Sequence, residues 1–192
     1  AASDVYKRQD NYYLGNAILT WGGMENQGNE LLKRAIECRF WDEIPPFFYG
    51  FNQYFFHRNI DEARKALELA ATRATDNAAA LRKLAIMITV EQMEDDQMAL
   101  NYLRDQMESA KDTRLQQMLQ KRVQRLEGLI TLRHAQHRYE KQTGRQLTEP
   151  GQLISSGILN EIPEDPMRLG YEFIDGKFRL KQLKIQGMEN QR

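Results

Sequence analysis

The sequence predicts a mainly α fold: a stack of helical hairpins, a long capping helix, then a small C-terminal helix and a β-hairpin. Three observations carry this. Hydrophobic residues make up 41% and charged residues 28% of the 192, with only 12 Gly and 5 Pro, the balance of a globular chain poor in turn formers. A shift of 35 residues lays the sequence over itself between residues 10 and 109. Beyond that, residues 112–143 keep one apolar stripe at helical spacing.

The opening AASDVYKRQ resembles the translated end of a transposon adaptor used in preparing sequencing libraries. Residues 1–9 are therefore expected to be artefactual and to make almost no contacts. On that expectation the genuine start is lost, with any anchor or signal it carried, and Tyr12, Tyr13 and Ile18 are left as an uncovered apolar patch.

In the shifted alignment Gly15 falls on Gly50, Gly28 on Ala63, Leu32 on Leu67 and Ala35 on Ala70. One step further Gly50 meets Ala85, and a step of 36 takes Ala63 to Ala99 and Leu67 to Leu103. Small residues at fixed offsets mark close helix approaches, and the leucines fill the space beside them. Each unit reads as two helices. The first pair spans 10–22 and 27–39, broken at Gly22-Gly23. The second spans 45–57 and 60–74, with Pro45 and Pro46 at the start, where a missing N–H costs nothing, and Asn59 as N-cap of an acidic first turn. The third spans 77–91 and 97–109, capped by Asp95 or Asp96.

A helix pair of this period, carried best by HRNIDEARKALELA (His57–Ala70) and by the glycines of LGN and YGF, resembles the tetratricopeptide repeat family. Thr75 or Asp76 stands where that family closes a unit with proline. The resemblance implies repeats at 10–43, 44–76 and 77–111, non-enzymatic protein binding, and a concave surface lined by the first helix of each unit.

Residues 112–144 read as the capping helix, with Leu115, Leu119, Val123, Leu126 and Ile130 on one face and Gly144 as the stop. The tail, 145–180, holds a short helix from Glu149-Pro150-Gly151 to Gly157, then IPEDP, then strand formers on either side of Asp175-Gly176, a strong hairpin signal. Residues 181–192 are polar and expected to fray. The series Tyr139, Thr143-Gly144, Leu153-Ile154, Gly157-Ile158-Leu159, Ile162-Pro163, Asp165-Pro166 and Tyr171 resembles the tail of type II secretion pseudopilins and related pilins. No prepilin cleavage signal or apolar stem precedes the helix, so the resemblance covers the tail alone. It implies a bacterial envelope setting, with a membrane tether in the lost start, and as a second reading a component of a secretion or type IV pilus-like apparatus.

The 27 basic and 27 acidic residues cancel, so no overall charge draws the chain to nucleic acid or an anionic membrane. Residues 10–111 carry 11 basic and 16 acidic groups and residues 112–147 carry 8 and 3, a contrast that fits a solvated helix face partly docked on acidic groups. The one cysteine, Cys38, excludes a disulfide framework and a cysteine zinc site, and beside Phe40 and Trp41 it reads as a buried inert thiol. The longest apolar run, Leu84–Val90, is far short of the ~20 residues that span a bilayer.

The densest feature is FFYGFNQYFF, seven aromatics in ten positions. A helix of this composition is buried on both faces or lines a groove. The tetratricopeptide resemblance places Tyr12, Asn16, Phe47, Phe51, Tyr54 and Arg82 on the concave face, where aromatic anchors and two polar groups would hold an extended or helical segment of another protein. No cofactor, no metal and no catalytic residue is expected. The rival from another class is a metal-dependent enzyme using His134, His137 and Glu140, three groups at spacing 3 on one helix. No phosphate loop or Ser–His–Asp signature is present.

Overall fold

The computed structural model describes residues 2–181, with side chains from Tyr12 onward. The contacts expected to be lacking at residues 1–9 and the fraying expected beyond Lys181 lie outside the described residues. Eight helices and one antiparallel hairpin follow in order among those described: α1 (Ala2–Trp21), α2 (Glu25–Cys38), α3 (Ile44–Phe55), α4 (Ile60–Arg73), α5 (Ala78–Val90), α6 (Asp96–Ser109), α7 (Thr113–Thr143), α8 (Gly151–Ser155), β1 (Tyr171–Ile174) and β2 (Lys177–Leu180). The protein is mainly α with a C-terminal hairpin, as its composition and periodicity predict. One boundary differs substantially. The first helix starts at Ala2 and not near residue 10, because nothing between Ala2 and Tyr13 is a glycine or proline that would interrupt it.

The chain divides into two compact units, Ala1–Glu94 with Ala110–Gln116, and Asp95–Ser109 with Gln117–Arg192. Helices α5 and α6, read from the sequence as one pair, thus belong to different units.

In the first unit α2 packs on α1 and α3, and α4 on α3 and α5. The small residues sit where the 35-residue offset puts them. A Cβ added to Gly50 would stand 3.1 Å from both the Ala63 carbonyl oxygen and Leu67 Cγ, and one added to Gly15 would stand 2.9 Å from Leu31. Ala35, Ala63 and Ala70 are fully buried, with Leu32 and Leu67 beside them. One core gathers Ala63, Leu67, Ala70, Ala71, Leu81, Ala85 and Ile88, and a second gathers Leu32, Tyr49 and Ala66. Pro45 and Pro46 occupy the first turn of α3, and Asn59 caps α4 by accepting from the Glu62 amide.

The second unit is built on α7. Leu119, Val123 and Leu126 of the expected stripe are buried, and the buried face continues through Leu129, Leu132, Ala135 and Tyr139. Asp95 caps α6, accepting from the Met98 amide at 2.7 Å, and Gly144 ends α7 with φ +66°. The hairpin pairs Tyr171 with Leu180 and Phe173 with Phe178 across a turn whose two central residues, Asp175 and Gly176, both have positive φ. Two cations of α7, the buried Arg125 and the partly exposed Arg133, bond other elements of this unit. Arg125 donates to Asp165 (3.0 Å) and to the carbonyls of Gly170 and Lys181, and Arg133 bonds Asp96 and the Phe178 carbonyl. No helix among the described residues is long and apolar enough to cross a membrane.

Candidate functional site

The aromatic helix α3 turns an unexpected side inward. Its buried positions are Pro45, Pro46, Tyr49, Gly50, Asn52 and Gln53, so two polar side chains are covered while most of the rings stay half-exposed around the rim. The cause is a hydrogen-bonded cluster. The Asn52 amide nitrogen donates to Asn16 Oδ1 (2.9 Å), Asn29 Oδ1 (3.1 Å) and Thr20 Oγ1 (3.3 Å), and Thr20 in turn donates to Asn16. The cluster leaves no room for a larger residue on α2: a Cβ at Gly28 would fall 2.4 Å from Thr20 Oγ1. Four polar residues from α1, α2 and α3 therefore satisfy one another in a region closed to water, and this fixes how the three helices meet.

This relocates Asn16. Expected to offer its amide to a partner, it is 5% exposed, and its carbonyl oxygen already accepts from both Asn52 and Thr20. It belongs to the packing and not to a binding face. Tyr12 is half-buried on α1. Of the expected apolar patch, Ile18 is open to solvent, but Tyr12 and Tyr13 are half-buried, the latter with its hydroxyl on Asp42; Leu14 and Trp21 are the residues exposed beside Ile18.

The other four candidates are accessible. Phe47 and Tyr54 rest one side on the core formed by α4 and α5 and leave the other open. Phe51 is half-buried and stacks on Phe55, with centroids 4.7 Å apart and planes within 21°. Tyr54 meets Phe55 edge-on, and Phe55 contacts Phe56, which meets Trp21 edge-on at 5.5 Å. The Tyr54 hydroxyl donates to Glu91 Oε2 at 2.5 Å, which brings the C-terminal ends of α3 and α5 together. Arg82, on the first half of α5, is exposed. Three half-open rings thus stand on α3 with further rings beside them, Glu91 at the end of α5 meets Tyr54, and Arg82 is an exposed cation of α5 for which no contact with the rings is seen. Half-open rings of this kind suit apolar and hydrogen-bonding contact.

A second exposed aromatic feature stands on the α2–α3 connection. Phe40 is 71% and Trp41 54% exposed, and their rings meet edge-on at 5.0 Å. Cys38, expected to be a buried thiol, is exposed at the end of α2, because Ala35 and Arg39 take the inward positions there.

The His134, His137 and Glu140 trio does not assemble into a cation site. Both histidines are exposed, and Glu140 Oε1 accepts from Gln136 (2.9 Å) and from the Leu147 amide (3.2 Å). Those two bonds, the Gln136 one foremost, hold its carboxyl below the usual carboxylate range. Among the described residues no group of three or more His, Cys, Asp or Glu is placed to hold a metal.

The Asn16–Asn52 cluster, the Arg39–Asp42 pair and the Arg125–Asp165 pair were not singled out in the sequence. Asn16 carried a signal, as a polar group beside apolar surface, but its buried partners Asn52, Thr20 and Asn29 did not follow from it. Comparison with protein-family models, with curated proteins and with solved structures finds no match to this chain.

Proposed function

We propose that the first unit is a tetratricopeptide-like protein-binding module that holds a segment of a partner protein against the face carrying Phe47, Phe51, Tyr54 and Arg82. The observation that carries this reading is the incomplete burial of the α3 rings. Phe47, Phe51 and Tyr54 each rest on the core or on another ring and stay half-exposed, although the helix packs against three neighbours. Rings held in that way keep apolar area available at little entropic cost, and aromatic and arginine side chains dominate binding where they are central. The close approach at Gly50 and the recurrence of Ala and Leu at one offset support the repeat assignment. An envelope setting and a role beside a secretion or pilus-like apparatus rest on the pseudopilin-like tail alone, and stand as a second reading.

The test is a comparison of binding with stability. Phe51→Ala with Arg82→Ala is expected to weaken recovery of the native partner about tenfold or more while lowering the melting temperature only by a few degrees. A loss of fold with no selective loss of binding contradicts the proposal.

A further inference from the structure

The first helices of the three hairpins, α1, α3 and α5, bring their C-terminal ends together through side chains. Trp21, the last residue of α1, meets Phe56, the cap of α3, edge-on with centroids 5.5 Å apart. Tyr54, near the end of α3, donates its hydroxyl to Oε2 of Glu91, the cap of α5, at 2.5 Å. Phe55 joins the two contacts: its centroid lies 6.5 Å from that of Phe56 and 5.6 Å from that of Tyr54, and its other neighbour is the stacked Phe51. The rings and one carboxylate form a continuous row. Trp21 is 59% exposed, the four α3 rings are half-exposed and Glu91 is exposed.

The charge along this row is one-sided. A helix C-terminus carries about half a negative charge. Neither α1, α3 nor α5 has a basic residue in its last turn to offset it, whereas α4 has Arg73. Glu91 adds a full charge and enters no ion pair among the described residues. Tyr54 takes its Oε2, and its Oε1 accepts no hydrogen bond among those residues. Of the two basic side chains that follow α3, His57 is bonded to Asn29 (2.7 Å), and no contact of the exposed Arg58 with Glu91 or the rings is seen.

We infer that this row is the cation-selecting end of the binding face proposed above, on which the inference rests. A partner segment enters it with an arginine, whose guanidinium pairs with Glu91 while its stem lies on the half-exposed rings of Tyr54 and Phe55. The Tyr54 bond fixes the carboxylate at the ring edge, so one side chain can meet both at once. A planar guanidinium suits this better than an ammonium, because it bonds a carboxylate in a fork, stacks on aromatic faces and is more weakly hydrated. The same carboxylate and helix ends disfavour an acidic segment.

The probes are fluorescein-labelled peptide pools, random except for a central residue fixed as Arg, Lys, Gln or Glu, measured against the full chain by fluorescence polarisation. The Arg pool is expected to bind about tenfold more tightly than the Gln pool, the Lys pool to fall between them, and the Glu pool to bind most weakly. Glu91→Gln, a change at an exposed side chain that keeps an acceptor for Tyr54, should erase the advantage of Arg and leave the Gln pool unchanged. In the unaltered protein, added salt should shrink the same advantage, a reading that needs no variant to fold. Equal binding of the Arg and Gln pools, or an advantage that survives Glu91→Gln or salt, overturns this inference and leaves the binding face intact. No binding by any pool overturns both. Neutral phosphatidylcholine vesicles that bind the protein, but not Glu91→Gln, would assign the row to a lipid headgroup and overturn the inference too.

Discussion

Arg125 and Asp165, forty residues apart in sequence, form a buried ion pair 3.0 Å long at the base of the C-terminal hairpin. Burial opposes the charged carboxylate, but the amides of Met167 and Gly170, the Arg125 guanidinium and the Leu169 amide outweigh it and hold the Asp165 carboxyl below its ordinary value. Arg125 is equally committed, and its own carbonyl accepts the Tyr171 hydroxyl at 3.1 Å.

Breaking the pair from one side should be costly, because the other charge stays behind unpaired. Asp165→Asn is expected to lower the stability of the second unit by roughly 3–5 kcal/mol, measured by urea unfolding at neutral pH. The sign of the pH dependence follows from the lowered value. The stabilisation is complete above the ordinary carboxylate range and is lost as pH falls through the lower folded-state value. Unfolding midpoints of the two proteins should therefore converge in acid; a constant gap at all pH values would contradict the assignment.

A second prediction concerns Gly128. A Cβ there would lie 2.0 Å from the Tyr171 hydroxyl oxygen and 2.8 Å from its Cζ. In an open helix Gly→Ala gains about 1 kcal/mol, but here the ring must leave its seat. Gly128→Ala should therefore destabilise, by about 1–3 kcal/mol, and Tyr171→Phe should return part of the loss. Circular dichroism melts of the single and double variants decide it.

How much was legible in the sequence divides along physical lines. Gly50, Ala63, Leu67 and Ala70 were readable because close helix packing demands small and large residues at fixed offsets, and the Asp175-Gly176 turn because both residues must tolerate positive φ. Asn16 was misplaced because helical spacing gives the face of a residue and not what covers it. Its partners lie 4 and 36 residues away, on its own helix and on α3. The exposure of Phe40 and Trp41 was hidden for a related reason. Apolar composition suggests burial, and only the Arg39–Asp42 and Arg73 bonds, made across three helices, show why the rings point outward.

The asparagine cluster gives a third prediction. Asn52→Ala removes the one donor shared by Asn16, Thr20 and Asn29. Leaving those acceptors buried should cost about 1–3 kcal/mol or more, and Asn52→Leu should be no better, since its extra apolar volume meets the same oxygens. Guanidinium unfolding of both variants checks this; a neutral Asn52→Leu would mean that the cluster admits water.

A fourth prediction tests the packing read from the repeat. Leu67 is 2% exposed and touches the position where Gly50 comes closest. Leu67→Ala should cost on the order of 2–5 kcal/mol, visible as a lowered urea midpoint with an unchanged slope.

The central claim is that the open side of the α3 rings receives a partner segment, and site-specific photo-crosslinking in the source cells tests it most directly. A photo-reactive phenylalanine analogue replacing Phe51 should give one discrete protein adduct, weakened by Arg82→Ala, whereas the same analogue at Glu68, exposed on α4, should give none. Equal labelling from both positions, or none from position 51 in a folded protein, would contradict the account.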